Sequence, residues 1–270
     1  MKTGLLHVAE DRGGEARLDA AIQLAKAFGL HLTGTQAAPL LAYAMADPFG
    51  GVYPSLKLFT EHEKRQDATR ASIEERLRDD GVSFGWVRGA GSPAVVLLDQ
   101  SRLNDLIILS HLESDEGGWD AELELVGDVA VHSRAPILSV PYDNGTLSLD
   151  GTALVAWNAS FEAAQALRFS VPFLSRASRV QIVTIGDDAP EFPASGAAAY
   201  LSHHGIQSEL LPVALGDLSV GEELLNVAID TQSNFVVLGA YGHSRIRERI
   251  LGGVTREMLL RCPKPLLLAH

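Results

Sequence analysis

One strand pattern occurs twice in this chain, and its two copies lie 129 residues apart. The apolar run at 105–110 (DLIILS) is matched by 234–239 (NFVVLG), and 135–139 (APILS) is matched by 264–268 (KPLLL) at the same offset. A half-chain of about 130 residues is enough for one domain with its own core. The repeat therefore predicts two similar domains in tandem.

The boundary between the domains is predicted at 142–146 (YDNGT), because Asn, Asp and Gly are typical of turns. We expect the first domain over residues 1–145 and the second over 146–270. The segment 39–54, rich in Ala, Met, Pro and Gly, is extra material in the first half. We interpret it as an inserted loop or lid, with a plain surface loop as the alternative.

Short apolar runs alternate with helical patterns in both halves. Runs of this length suit parallel strands that are covered on both faces. Strands that alternate with helices indicate an α/β fold, with a parallel sheet and right-handed crossovers. The predicted strands include 4–8, 106–109, 153–156, 180–183, 235–238 and 266–268, and the predicted helices include 16–28, 59–80, 162–174 and 220–229.

Composition argues against several classes of protein. No apolar run reaches the roughly 18 residues of a membrane-spanning helix. Glu10 and Asp11 come too soon for a signal peptide, and the single cysteine, Cys262, allows no internal disulfide. We therefore expect a cytoplasmic protein with no membrane partner. The net charge of −12 argues against nucleic-acid binding, which needs a basic face for the phosphates.

The negative charge is concentrated in the first half. Residues 1–150 contain 13 Lys and Arg against 23 Asp and Glu, a net of −10, whereas residues 151–270 contain 9 against 11, a net of −2. A polyanionic ligand is therefore expected to prefer the second half.

A glycine-rich loop leaves the predicted strand at 235–238 and enters a predicted helix near Val254. Glycine lets backbone amides approach a phosphate without a clash from a Cβ atom. The start of the helix would direct its free amides and its positive dipole end at the same anion. The alternative is that these glycines only form tight turns.

The spacing of Gly239, Gly242 and Gly252 resembles the ATP loop of the universal stress protein family, Gly-x2-Gly-x9-Gly-Ser/Thr. The segments 154–160 (LVAWNAS) and 162–164 (EAA) resemble that family's first strand and turn. This resemblance covers the second half well and reaches the first half through the repeat. It implies two tandem domains of the adenine nucleotide alpha hydrolase-like fold, each a mostly parallel five-stranded sheet with helices on both faces.

The resemblance also implies how the two halves pack. The final strand, at 265–269, resembles the edge through which single-domain members of the family pair as homodimers. We expect it to pair with the strand at 136–140 of the same chain, so that the halves form a pseudo-twofold pair. A homodimer of such tandem chains is a further option.

The family's site implies that the second half binds an adenine nucleotide, ATP with or without Mg²⁺. Gly253 stands where the family has Ser or Thr, with Thr255 as a candidate replacement, and Asn158 stands where the family has an acidic residue near the nucleoside. Trp157 either stacks on the base or fills the pocket, and Ile185 corresponds to a backbone contact with adenine. The candidate nucleotide-binding residues are Ala156, Trp157, Asn158, Ile185, Gly239, Gly242, His243, Gly252, Gly253, Val254 and Thr255.

The first half lacks these glycines. At the offset of 129 residues, the four glycine positions 239, 242, 252 and 253 become Ser110, Glu113, Leu123 and Glu124. Side chains would block the close approach of a phosphate, and the acidic loop would repel it. We therefore interpret the first half as a degenerate partner domain that binds no nucleotide.

These observations favour a nucleotide-binding module for stress response or signalling, without efficient turnover. A protein-interaction scaffold that has lost its nucleotide is one alternative, because of Gly253 and Asn158. A slow ATPase is another, although His243 and Glu248 are the only candidate bases in the loop. We predict no catalytic residue and no metal site.

Overall fold

The computed structural model describes residues 1–38, 44–46, 52–54, 56–111, 121–142, 147–186, 192–240 and 253–270. Strands and helices alternate throughout these residues. The strands of the first half are β1 (Thr3–His7), β2 (His31–Ala38), β3 (Ala44–Ala46), β4 (Val52–Pro54), β5 (Ser83–Ala90), β6 (Leu106–His111) and β7 (Ile137–Pro141). Those of the second half are β8 (Thr152–Ala156), β9 (Arg179–Ile185), β10 (Glu209–Val213), β11 (Phe235–Gly239) and β12 (Leu266–Ala269).

Four described helices lie in each half. Those of the first half are α1 (Gly14–Phe28), α2 (Leu56–Asp79), α3 (Pro93–Ser101) and α4 (Ala121–His132). Those of the second half are α5 (Phe161–Leu174), α6 (Ala194–His203), α7 (Val220–Asp230) and α8 (Gly253–Arg261). Helix α1 is capped at its C-terminus by Gly29, whose φ of 66° is accessible to glycine at little cost. Helix α7 begins with a capping box between Ser219 and Glu222.

Each half contributes five parallel strands to the sheet. The order across the sheet is β10-β9-β8-β11-β12-β7-β6-β1-β2-β5, and neighbours within each half are parallel. From the junction outwards, the order is β7-β6-β1-β2-β5 in the first half and β12-β11-β8-β9-β10 in the second. The two orders are equivalent when the five main-sheet strands of each half are counted along the chain. The predicted α/β architecture with five strands in each half is confirmed.

The two halves meet edge to edge. Strand β12 pairs antiparallel with β7, and Leu267 lies opposite Leu138. This is the edge pairing predicted from the sequence. Because the pairing continues the backbone hydrogen bonds from one half to the other, the two five-stranded sheets are not separate but form one sheet of ten strands.

Helices cover both faces of this sheet. Buried side chains of α1, α2, α5 and α6 form one apolar cluster, which includes Leu24, Leu77, Phe173 and Leu201. Those of α3, α4, α7 and α8 form the other, which includes Leu97, Val126, Leu224 and Leu259. Successive strand residues alternate between the clusters, as Ile107 and Ile108 do, so the runs are apolar throughout. In the described part of the chain, no helix is long and apolar enough to cross a membrane.

The extra segment at 39–54 contains the short strands β3 and β4. They pair with each other, antiparallel, in a two-stranded sheet apart from the main one. The prediction of an insertion is therefore consistent with the fold, in which the second half has no such hairpin among its described elements.

A buried histidine links the two halves beside the β7–β12 junction. His111, the last residue of β6, is fully buried, and its Nε2 lies 3.0 Å from the carbonyl oxygen of Cys262 in the second half. Its Nδ1 lies 3.0 Å from Oγ of Ser139. Since the carbonyl can only accept, Nε2 donates to Cys262 and the neutral ring accepts the hydroxyl of Ser139. Burial lowers the pKa of His111 to about 4, although the hydrogen bond from its ring to the carbonyl oxygen of Cys262 opposes that shift.

We expect this histidine to make stability depend on pH. An unfolded histidine has a pKa of about 6.5, so between pH 6.5 and pH 4 the unfolded chain binds more protons than the folded one. The free energy of unfolding is therefore unaffected by this ring above about pH 6.5. It falls as the pH drops below that value, by a total of about 3 kcal/mol near pH 4. Denaturant unfolding at pH 7 and pH 5 should show a smaller pH effect in His111→Gln than in the original chain. An equal pH effect in both would contradict this account.

Candidate functional site

The central crevice of the second-half sheet lies between the carboxyl ends of β8 and β11. These two strands are neighbours, with Val155 opposite Val237. The chain leaves β8 towards β9 on one side and leaves β11 towards β12 on the other. Such a switch point is where open α/β sheets bind their ligands. The described candidate residues follow the ends of β8, β9 and β11 or begin α8, so they share this edge.

Gly239, the last residue of β11, lies against the start of α5. A Cβ atom built at this position would be 2.5 Å from the backbone nitrogen of Ala163 and 2.6 Å from the carbonyl carbon of Glu162. Real Cβ atoms essentially never approach backbone this closely. Gly239 is therefore required by the packing of a strand against a helix N-terminus, a role that was not among those predicted for it.

The turn between β8 and α5 brings the helix N-terminus to the crevice. Ala159 has a φ of 61°, in the left-handed region that few non-glycine residues adopt. Asn158 Oδ1 accepts a hydrogen bond of 3.2 Å from the backbone of Ser160, whose hydroxyl in turn caps α5 by accepting from Ala163 N at 3.1 Å. Strained backbone of this kind is common at functional sites. The Asn158 side chain thus helps to shape the turn, and the residue is exposed at the edge.

Trp157 fills space within the protein. Its side chain is only 4% exposed, and its Nε1 donates to the carbonyl oxygen of Phe192 at 3.3 Å. The two rings lie 5.7 Å apart, and the tryptophan belongs to the cluster under α5 and α6. Of the two roles predicted for Trp157, this position favours the one that fills the pocket, because a ring with no open face cannot stack on a base.

Three other candidates form an apolar wall on the opposite face of the sheet. Ala156, Ile185 and Val254 are half-buried and pack against the cluster of α7 and α8. Ile185 ends β9, as the sequence predicted. The structure therefore brings these three side chains to one face and turns Trp157 to the other.

Helix α8 begins at Gly253, at the same edge, since it connects β11 to the parallel strand β12. Gly253 is exposed, and a Cβ atom there would meet nothing within 4 Å. Thr255 is 4% exposed, which favours packing over contact with a ligand. Gly242, His243, Gly252 and the candidate base Glu248 lie outside the described residues. No group of three or more metal-ligand side chains suited to hold an ion occurs in the described part of the chain.

In the first half, a buried arginine lies between the corresponding strands. Arg17 of α1 is 1% exposed. It donates from Nε to the carbonyl oxygen of His7 at 2.7 Å, and from Nη1 to Oγ of Ser110 at 2.8 Å. Its Nη2 is 2.9 Å from a carboxylate oxygen of Asp11. His7 and Ser110 are at the carboxyl ends of β1 and β6, so the guanidinium occupies the first-half equivalent of the crevice.

The rest of this first-half edge differs from that of the second half. Leu123 is buried within α4, and Glu124 is exposed on it.

Burial, and secondarily the charge of Arg17, lowers the pKa of His7 to about 3, so this ring is neutral at pH 7. A cavity of about 250 Å³ remains beside it, lined in part by Gln36 and Gln66.

Sequence reasoning missed both the packing role of Gly239 and the arginine cluster. The signal for Arg17 was available, because the residue interrupts the apolar face formed by Leu18, Ala20 and Ala21 of the same helix. A charged residue in such a position is rarely buried unless it is paired.

Comparison with solved structures identifies the fold. The chain resembles a universal stress protein from Archaeoglobus fulgidus with a TM-score of 0.77 and 14% identity, over 99% of this chain and 97% of that one. A functionally unknown protein from Pseudomonas aeruginosa PAO1 gives a TM-score of 0.64 at 14% identity, over 100% and 92% of the two chains. No protein-family model and no curated protein matches the sequence. The chain therefore has the tandem fold of universal stress proteins, as the sequence resemblance implied.

Proposed function

We propose that this chain is a tandem universal stress protein that binds one adenine nucleotide, in its second half. The observation that carries the proposal is the position of the glycine pattern in the fold. The pattern begins at Gly239, at the end of a central strand, and finishes as α8 begins at Gly253. Both ends therefore lie at the switch point of the sheet, where a loop rich in glycine suits a phosphate chain.

The electrostatics of this edge support an anionic ligand. Helix α8 has nine residues and no acidic residue in its first turn, so nothing in that turn offsets the positive end of its dipole. Residues 151–270 also carry a net charge of only −2, against −10 for residues 1–150. A nucleotide is therefore repelled less at this edge than at the matching edge of the first half.

The apolar wall gives the nucleoside a surface. Ala156 and Ile185 end neighbouring strands, and Val254 begins α8. Backbone groups at the end of β9 would contact the base, and Asn158 would hydrogen-bond a ribose hydroxyl, since an amide both donates and accepts. Trp157 would support the pocket from the core and make no contact with the base.

The first half would serve as a structural partner. Arg17 already occupies the space between its central strands, and the matched glycine positions carry side chains. We propose that the whole chain acts as a stress-response or signalling module in the cytoplasm, with at most slow hydrolysis of ATP. A scaffold without nucleotide is the competing function.

Titration of ATP into variants of Gly253 tests this proposal. Gly253→Ser restores the hydroxyl of the family pattern at a position with open space around it. One added hydrogen bond to a phosphate contributes about 1 kcal/mol, so the affinity should rise roughly five-fold. Gly253→Ala is the matched control, because it adds the same bulk without a donor, and it should bind like the original chain.

Each outcome of this titration discriminates between the functions. Equal affinities for the serine and alanine variants would place the phosphates elsewhere. No ATP binding by any of the three chains would favour the scaffold. Release of phosphate from bound ATP that depends on the loop would favour the slow ATPase.

A further inference from the structure

A groove of about 650 Å³ lies where the first half meets α5 of the second half. Its walls include Arg102 at the end of α3, Arg134 between α4 and β7, and Arg168 on α5. We propose that this groove binds a small organic polyanion, a molecule with two or more phosphate or carboxylate groups, through the guanidinium groups of Arg134 and Arg168.

Arg134 and Arg168 are available to a ligand. Arg134 and Arg168 are exposed, and neither pairs with a carboxylate among the described residues. Arg168 donates a hydrogen bond from Nη2 to Oε1 of Gln165, whose side chain is neutral. Both cations lie on one concave surface of a chain with a net charge of −12, and an anion bound between them would reduce their mutual repulsion.

The acidic residues of the groove are already engaged. Asp99 pairs with Arg102 at 3.0 Å. Asp105 accepts hydrogen bonds from the backbone nitrogens of Lys2 and Thr3, at 2.5 and 3.1 Å. Burial acts to raise its pKa, but these bonds and the other favourable contacts together keep the pKa below the usual value. Arg102 therefore offsets Asp99, whereas Asp105 stays ionised and is stabilised by the backbone. The lining holds three arginines against two aspartates, so its net charge remains positive.

The size and floor of the groove suit an organic molecule. A volume of about 650 Å³ is within the range of small-molecule sites, roughly 300–1,000 Å³. Leu98, Phe169 and Pro172 line it and supply apolar surface beside the cations. Guanidinium groups bind phosphate and carboxylate in two-pronged hydrogen bonds, which favours a polyanion over a single small ion.

This groove is separate from the candidate nucleotide site. It lies at the starts of β6 and β7, where Asp105 and Pro136 line it, and so at the edge opposite Arg17 in the first half. Arg168 follows Ala163 by five residues on α5, which is roughly 8 Å along the helix axis. The two sites can therefore be changed independently.

Calorimetry with tripolyphosphate and with citrate tests the proposal and separates the two anion chemistries. We expect at least one probe to bind in low salt, and Arg134→Gln/Arg168→Gln to weaken that binding at least ten-fold. Both side chains are exposed, so the variant should fold, which a melting curve would verify. The control Arg179→Gln changes an exposed arginine already paired with Glu209, and it should leave binding unchanged.

A variant in the glycine loop distinguishes this site from the proposed nucleotide site. Gly252→Leu should leave probe binding in the groove intact whether or not ATP binds to the second half. Failure of both probes to bind at about 10 mM, where even a site with a millimolar Kd would be mostly occupied, would overturn the proposal. Binding that weakens by less than ten-fold in Arg134→Gln/Arg168→Gln would overturn it equally.

Discussion

Gly239→Ala should destabilise this protein by about 3 kcal/mol and weaken ATP binding at least ten-fold. The added methyl group would lie 2.5 Å from Ala163 N and 2.6 Å from the carbonyl carbon of Glu162, and neither backbone atom can rotate away. Overpacking of this kind typically costs about 1–3 kcal/mol, and rigid neighbours place this position at the upper end. Helix α5 would have to move away from β11, which would displace the edge of the candidate site.

Gly253→Ala is the matched control for stability. It adds the same methyl group at the other end of the glycine pattern, where nothing lies within 4 Å. It should therefore change the free energy of unfolding by less than about 1 kcal/mol, and alanine in a helical position tends to stabilise. Denaturant unfolding of the two variants measures the difference. If Gly239→Ala were as stable as Gly253→Ala, the close approach of α5 to β11 would be wrong.

Arg17→Met should destabilise the protein by about 3–5 kcal/mol, because it removes one partner from a buried ion pair. Asp11, with a side chain that is 12% exposed, would lose its compensating charge. The carbonyl oxygen of His7 and the hydroxyl of Ser110 would each lose a donor at the same time. Methionine keeps an unbranched apolar stem in place of the arginine stem, so most of the loss would come from the missing guanidinium group.

Two further measurements make this prediction specific. Arg179→Met is the control, since its pair with Glu209 is exposed and such pairs contribute no more than about 1 kcal/mol. The charge of Arg17 helps to lower the pKa of His7, so a titration of that ring by NMR should show a higher pKa in Arg17→Met. A stability loss below about 1 kcal/mol, or an unchanged pKa, would contradict the proposed role of Arg17.

The central strands could be predicted because they are buried on both faces. β6, β8, β11 and β12 are continuous apolar runs, and the offset of 129 residues related the halves before any contact was known. Three other strands of the main sheet, β2, β5 and β10, were not identified, and neither were the short strands β3 and β4 of the insertion. β5 and β10 are the outer edges of the sheet and are largely half-buried or exposed, so neither shows the pattern of a strand buried on both faces.

The location of the candidate site could also be predicted, but its packing could not. Parallel strands place their carboxyl ends at one edge, so the positions of Ala156, Ile185 and Gly239 follow from the fold alone. The contact of Gly239 with α5 depends on the distance between a strand and a helix, which a glycine pattern does not report. The burial of Trp157 likewise depends on Phe192, a residue 35 positions away in sequence that its spacing did not connect to the site.

The number of ATP molecules bound per chain tests the central claim most directly. Calorimetry should give one site per chain, because only the second half has the glycine pattern and the first-half crevice is occupied by Arg17. Gly252→Leu should abolish this binding, since a side chain would take the place of the phosphates, whereas Glu113→Gly should create no second site, because Leu123 and Glu124 remain. Two molecules of ATP per chain, or binding that persists in Gly252→Leu, would contradict the account.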